Sequence, residues 1–100
     1  KNKGGKNMKN VEQKGLDSYN ELRTHLSNRT IDEMDNFKIE LTGSADEINE
    51  CMKCAQTNND ACDRYENSHV IFGEKMDLEP VRHYNNLIIA SCKKSIAALK

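Results

Sequence analysis

Four cysteines are the residues of this chain best suited to chemistry, and they follow the pattern C-x-x-C-x7-C-x29-C. They are Cys51, Cys54, Cys62 and Cys92. An even number of cysteines in so short a chain is typical of a small secreted domain that supplements a modest hydrophobic core with disulfides. We therefore expect a secreted, extracellular protein in which every cysteine is paired.

Four cysteines permit three pairings. In one unbroken helix Cys54 and Cys62 would lie about 12 Å apart, beyond the roughly 7 Å between Cα atoms that a disulfide tolerates. The short polar residues at 56–60, QTNND, favour a break there, which would place both cysteines on opposing arms of a helical hairpin. The favoured pairing is then Cys54 with Cys62 and Cys51 with Cys92. The swapped pairing, Cys51 with Cys62 and Cys54 with Cys92, and a bridge between Cys51 and Cys54 remain open.

Other chemistry for these residues is less well supported. A redox C-x-x-C follows a strand, whereas this one lies in a predicted helix, and the isolated Cys92 breaks the two close pairs that are usual in zinc modules. The three histidines, His25, His69 and His83, are scattered over the chain, and no nucleophile elbow, metalloprotease motif or phosphate-binding loop is present. We predict no enzyme activity, no cofactor and no metal.

The net charge of -1 conceals an uneven distribution of charge. Residues 1–14 carry five lysines and one glutamate, residues 32–66 carry ten acids against three bases, and no acid follows Glu79. Such asymmetry can steer a charged partner, although two solvated helix faces would also account for it. The candidate binding residues are an acidic set, Asp32, Asp35, Asp46, Glu50 and Asp63, and a basic set, Arg82, Lys93 and Lys94.

Nucleic acid and membrane spans are not expected. The basic N-terminal residues have no interleaved aromatic side chains, and the remainder of the chain is acidic. No apolar run approaches the roughly 20 residues that a span requires. The sequon Asn28-Arg29-Thr30 could accept a glycan at Asn28, or Asn28 could simply cap a helix.

Hydrophobic periodicity predicts an all-α fold, a small disulfide-stapled bundle of four to five helices at residues 15–100 behind a flexible basic tail at residues 1–14. A first helix is expected from about Asp17 to Ser27. Two capping boxes, Thr30 with Glu33 and Ser44 with Glu47, open the second and third helices. A fourth would run from Ala61 to Phe72 and stop at Gly73, and a last one from near Asp77 to Leu99, with Pro80 in its first turn. Gly43 is expected to end the second helix. The predicted inward side chains, given helix by helix, are Leu16, Tyr19, Leu22 and Leu26; Ile31, Met34, Phe37 and Leu41; Ile48, Cys51, Met52 and Ala55; Cys62, Tyr65 and His69; and Val81, Tyr84, Ile88, Cys92 and Ile96.

The lysine-rich start, the helical segments, the cluster CMKCAQTNNDAC and the single Cys92 in the last helix resemble a family of anopheline mosquito salivary proteins, the anophensin/albicin-type inhibitors. The resemblance covers the general plan of the chain.

The resemblance implies a secreted helical inhibitor used in blood feeding and host immune evasion. Its leading implication is inhibition of the host alternative complement pathway by binding the assembled convertase. The alternative within the family is inhibition of contact (kallikrein-kinin) activation by binding factor XII and kininogen. Outside the family, a small hydrophobic-ligand carrier is a third hypothesis, since helical disulfide-linked proteins can line such cavities.

Overall fold

The computed structural model describes residues 3–68 and 78–99, and the side chains of residues 10–66 and 78–99. It contains four helices, α1 (Lys3–Ser27), α2 (Ile31–Asn36), α3 (Ala45–Ser68) and α4 (Glu79–Ala98). No strand occurs in these ranges. The prediction of an all-helical fold is confirmed, whereas the disulfide staples are not seen, because all four cysteines are free thiols.

Both predicted capping boxes are present. The Thr30 hydroxyl accepts from the Glu33 backbone N–H at 3.2 Å, while the Glu33 carboxylate accepts from the Thr30 N–H at 2.9 Å. Ser44 and Glu47 repeat this reciprocal arrangement at 3.2 and 3.0 Å. Each box satisfies two backbone donors that the first turn of a helix leaves without a partner, and therefore fixes where α2 and α3 begin.

The predicted break at residues 56–60 is wrong, because α3 continues without interruption from Ala45 to Ser68. The separate helix expected from Ala61 is the second half of α3. Asn58 and Asn59 use their side-chain amides for contacts with α4 instead of competing for the backbone of their own helix. His69, Phe72 and Gly73 lie outside the described residues.

Helix α1 begins at Lys3 rather than near Asp17, so the predicted start of the first helix is wrong, whereas the flexibility of the basic tail at residues 1–14 stays a prediction. Extending an existing helix costs far less than nucleating one, and the lysine, glutamate and glutamine side chains of this segment favour helix. Near the end of this segment, the Lys14 ammonium lies 3.6 Å from the Glu47 carboxylate in the first turn of α3.

Helix α2 is only six residues long and ends at Asn36, well before Leu41. Residues 37–42 form the return segment, and within it residues 38–42 contain no turn or bend. Gly43 has φ +110°, a conformation that favours glycine, but it turns the chain into the cap of α3 and does not end α2.

The return segment explains the helix directions. It runs beside α1 in the opposite sense, with Phe37 near His25 and Thr42 near Ser18. It thereby brings the chain back to the start of the bundle, so α3 lies parallel to α1 and not antiparallel as short connections would give. Helix α4 is antiparallel to α3, because Cys92 meets Cys51 while Arg82 meets Asp63.

The core lies where α1, α3 and α4 meet, and α2 covers one end through the buried Met34. The predicted inner faces of α3 and α4 are confirmed as buried or half-buried, as are Tyr19, Leu22 and Leu26 of α1. Leu16 and Tyr65 are exceptions at 41% and 37% exposure, so their predicted inward positions are wrong.

Gly15 sets the separation of α1 and α3. A Cβ atom at this position would overlap the Cβ of Glu50 and lie 2.9 Å from the backbone nitrogen of Cys51. Only glycine lets the two helix backbones approach this closely, which places Tyr19, one turn further on, directly against the interior.

Candidate functional site

Two cysteines meet in the centre of the bundle. The thiols of Cys51 on α3 and Cys92 on α4 are fully buried and hydrogen-bonded to each other. This hydrogen bond, together with burial, raises the pKa of Cys51 well above the ordinary thiol range. The same hydrogen bond lowers the pKa of Cys92, and burial opposes that shift. Cys51 is therefore the member of the pair that is held as a protonated thiol, the form that is a poor nucleophile.

The other two cysteines lie on α3 alone. Because α3 is unbroken, Cys54 and Cys62 are separated by about 12 Å along the helix axis, so the favoured pairing of these two is wrong. The swapped bridge from Cys51 to Cys62 would span an even longer stretch of the same helix. Burial raises the pKa of both Cys54 and Cys62, although the Arg82 guanidinium opposes the shift at Cys62. Of the predicted bridges, Cys51 with Cys92 joins two helices whose thiols are in contact, while Cys51 and Cys54 lie one turn apart on α3.

A polar network crosses the core beside these thiols. Asn85 of α4 is fully buried, and its amide oxygen accepts a hydrogen bond from the Tyr19 hydroxyl at 2.6 Å. Its amide nitrogen donates to the side-chain oxygens of Asn58 at 2.9 Å and Asn59 at 3.1 Å. The network joins α1, α3 and α4, and no buried side-chain N or O atom lacks a partner in the described residues. Burial raises the pKa of Tyr19, so its phenol remains a donor.

Sequence reasoning did not find Asn85. The periodic pattern that predicts a buried helix face counts only apolar residues. An asparagine on the inner face of α4 therefore looks like any other polar residue between the apolar ones. The available signal was its position: Asn85 follows Tyr84 and precedes Ile88 by three residues, which places it at the border of the buried stripe.

The predicted acidic and basic binding sets are not two separate faces. Arg82 pairs with Asp63 and with Glu66, both at 2.6 Å, and these hydrogen bonds raise the pKa of its guanidinium. Asp35 of α2 lies 2.7 Å from the His83 ring. These contacts tie α4 to α3 and α2, so the residues involved already have partners within the bundle.

The remaining candidates are more available to a partner. Glu50 is partly exposed and lies 3.3 Å from the Lys53 ammonium on its own helix. Asp32 and Asp46 are exposed in the first turns of α2 and α3, where a carboxylate also stabilises the helix dipole. Lys93 and Lys94 are exposed near the C-terminal end of α4.

An open groove of about 340 Å³ separates α1 from the return segment. Leu22, Phe37 and Leu41 form its apolar wall, while charged side chains, including Glu21 and Lys38, line the rest. The Arg29 guanidinium covers the Phe37 ring at 4.5 Å from its centre. A carrier of hydrophobic molecules encloses its ligand in an apolar cavity, and this groove is open and largely polar.

Asn28 is exposed in the turn between α1 and α2. Its amide nitrogen donates to the Thr24 carbonyl at 3.0 Å, which caps the end of α1. The same nitrogen is the atom to which a glycan would be attached, so the cap and the modification compete for it.

In the described part of the chain, no helix is both long and apolar enough to cross a membrane. The same residues contain no group of three or more histidine, cysteine, aspartate or glutamate side chains placed to hold a metal ion. Comparison with protein-family models, with curated proteins and with solved structures finds no significant match to the chain.

Proposed function

We propose that this protein is a secreted, non-enzymatic inhibitor of the alternative complement pathway that acts by binding the assembled convertase. The target comes from the resemblance to the anopheline salivary inhibitors. The observation that supports the secreted part of the proposal is the contact between the Cys51 and Cys92 thiols across α3 and α4.

In an oxidising compartment this contact becomes a disulfide. Each thiol gives up a hydrogen, a bond forms between the two sulfur atoms, and a disulfide oxidant such as oxidised glutathione accepts the two electrons and two protons. Because both sulfurs are buried in the folded bundle, the exchange takes place during folding, before the core closes. One staple joins the middle of α3 to the last helix, while Cys54 and Cys62 remain thiols.

Mass spectrometry after refolding with and without oxidised glutathione tests this staple. The oxidised protein should contain one bridge between Cys51 and Cys92 and two thiols that react only after denaturation. The Cys92→Ser variant should form no intramolecular bridge and provides the matched control. Four reactive thiols after oxidative refolding would contradict the proposal for the disulfide and count against secretion.

Rigidity is the physical reason why such a bundle suits inhibition by binding. The satisfied network around Asn85 and the close approach at Gly15 fix the three long helices relative to one another. A partner that docks on a surface held in this way loses little conformational entropy in ordering it. The raised pKa values of Cys51, Cys54 and Cys62 keep these three thiols in the protonated form, which is a poor nucleophile.

The exposed charges divide the possible contact surface into two testable parts. The acidic part contains Asp32 and Asp46, and the basic part contains Lys93 and Lys94. We expect one pair of substitutions, Asp32→Asn with Asp46→Asn or Lys93→Gln with Lys94→Gln, to slow association with the target while the other pair has no effect. Each pair therefore controls for the general effect of removing surface charge.

Surface plasmon resonance decides between the possible targets. An inhibitor that bridges the parts of an assembly binds the assembled convertase more tightly than either isolated component, and by linkage it slows dissociation of the complex. Equal affinity for one isolated component would refute bridging. Firm binding to factor XII or kininogen, without binding to any complement protein, would instead establish inhibition of contact activation.

A further inference from the structure

At the start of the return segment the Phe37 N–H donates to the Met34 carbonyl at 3.1 Å, and the backbone groups that follow it have no hydrogen-bond partners. Among the described residues, none of the hydrogen bonds involves a backbone N–H or C=O of residues 38–42. Buried backbone groups are almost always paired, so these groups face solvent. An unpaired run of this kind is a template for a second strand.

The side chains of the return segment alternate between two environments. Phe37, Ile39 and Leu41 are half-buried against the core, whereas Lys38 and Glu40 between them are exposed. Phe37 has β-region backbone angles, φ -79° and ψ 128°. A period of two is that of an extended chain, and the apolar side chains hold the segment in this form on the bundle.

The exposed side of the segment carries one positive and one negative charge, spaced two residues apart. The Lys38 ammonium lies 3.6 Å from the Glu40 carboxylate, and their side chains are 84% and 72% exposed. If an identical strand is placed antiparallel about a two-fold axis at Ile39, Lys38 of each copy faces Glu40 of the other. The charge pattern of the segment is therefore complementary to itself.

We propose that two copies of this protein associate through antiparallel pairing of their return segments, centred on Ile39. Backbone hydrogen bonds join the two strands, and two cross-strand pairs of Lys38 with Glu40 fix the register. The same apolar residues stay on the bundle side in both copies, with Phe37 of one strand opposite Leu41 of the other. An interface of this kind is isologous, as in most homodimers.

The association is expected to be weak. A few paired residues per strand bury less surface than the roughly 1,200 Å² at which stable interfaces begin. Sedimentation velocity across a series from micromolar to millimolar protein, at low salt, should therefore show a concentration-dependent dimer. Raising the salt should reduce it, because the paired charges are exposed.

Charge reversal tests the register directly. Either Lys38→Glu or Glu40→Lys places like charges opposite each other twice in the dimer, and should weaken self-association on the order of tenfold. The combined exchange, Lys38→Glu with Glu40→Lys, should restore it. A mixture of the two single variants should form a heterodimer, because each strand then faces its opposite charge. Arg64→Glu, a reversal at an exposed position on α3, should leave self-association unchanged.

Hydrogen exchange provides an independent measurement. Amide protection at alternate residues of 38–42 should rise with protein concentration in the wild-type protein and in the exchanged variant. A protein that stays monomeric throughout the concentration series would overturn the proposal. A dimer that is insensitive to both single reversals, or a mixture that shows no preference for the heterodimer, would also overturn it.

Discussion

Replacing Asn85 with alanine removes the side chain on which polar groups from three helices converge. The Tyr19 hydroxyl loses its acceptor at 2.6 Å, and the side-chain oxygens of Asn58 and Asn59 each lose a donor. Tyr19 is only 5% exposed, so water cannot readily replace the lost acceptor. The substitution therefore leaves at least one polar group unsatisfied in the core.

The expected cost follows from these contacts. An unsatisfied buried hydroxyl costs about 1–3 kcal/mol. The cavity left by the amide adds on the order of 1 kcal/mol to the destabilisation. The better helix propensity of alanine reduces the destabilisation by about 0.5 kcal/mol. We expect Asn85→Ala to lower the free energy of unfolding by about 2.5 kcal/mol, which for a domain of this size lowers Tm by roughly 10–20 °C.

Urea unfolding followed by circular dichroism measures this loss, and Asn86→Ala is the matched control. Asn86 is the next residue on α4, is exposed, and accepts a single hydrogen bond from Asn59. Its substitution should change stability by less than about 0.5 kcal/mol.

A double-mutant cycle isolates the buried hydrogen bond. Tyr19→Phe removes the donor, so Asn85→Ala in that background no longer leaves a buried hydroxyl without a partner. Its destabilisation should be about 1–2 kcal/mol smaller than in the wild-type protein. Additive effects of the two substitutions, or equal losses for Asn85→Ala and Asn86→Ala, would refute the reasoning.

Three further outcomes follow from features of the helices. Gly15→Ala should destabilise the fold by about 1–3 kcal/mol, although alanine favours helix more than glycine does, because α1 must move away from α3. Asn20→Ala, at an exposed position of α1, is the control, and equal Tm values for the two variants would contradict the close approach. Ser44→Ala should cost about 1 kcal/mol by removing a cap of α3, and Ser44→Asp should recover it; an unchanged urea midpoint would show that the cap is unimportant. Above about pH 8.5 the unfolded thiols ionise while the buried Cys51 thiol stays protonated, so the reduced protein should lose stability as pH rises, and the phenol of Tyr19 should add to the loss above about pH 10. Urea midpoints that do not change between pH 8 and pH 10.5 would contradict the raised pKa values.

Local signals in the sequence predicted those parts of the fold that local interactions determine. Thr30 with Glu33 and Ser44 with Glu47 form their capping boxes within single turns, and both helix starts are confirmed. The apolar stripe of α4 is confirmed because its spacing repeats over about four turns.

The errors arise where contacts between distant residues override local preference. Asn58 and Asn59 looked like helix breakers, but their amides bind Asn85 and Asn86 on α4, so the helix gains contacts there. Conversely, the spacing of Phe37 and Leu41 matched a helix, although Ile39 between them showed that alternation fits equally well. A pattern of five residues cannot separate these periods, and the packing of all three apolar side chains on the core decides the result.

The candidate site was only partly accessible from sequence. The encounter of Cys51 with Cys92 was predicted, but from a hairpin that does not exist, and it arises instead from the antiparallel register of two long helices. The pairing of Asp63 with Arg82 could not be inferred from charge alone, because net charge in a segment does not show which partners face it.

The hydrogen bond between Tyr19 and Asn85 joins residues that are 66 positions apart, and this distance determines when the chain can fold. During synthesis α1 and α3 are complete before the residues of α4 that close the core have been made. Because synthesis adds about 5–20 residues per second, the apolar face of α1 remains without its partners on α4 for several seconds. The core that contains Tyr19 and Cys92 therefore forms in a single late event. In that event the last helix packs against α1 and α3, and the three helices become one domain.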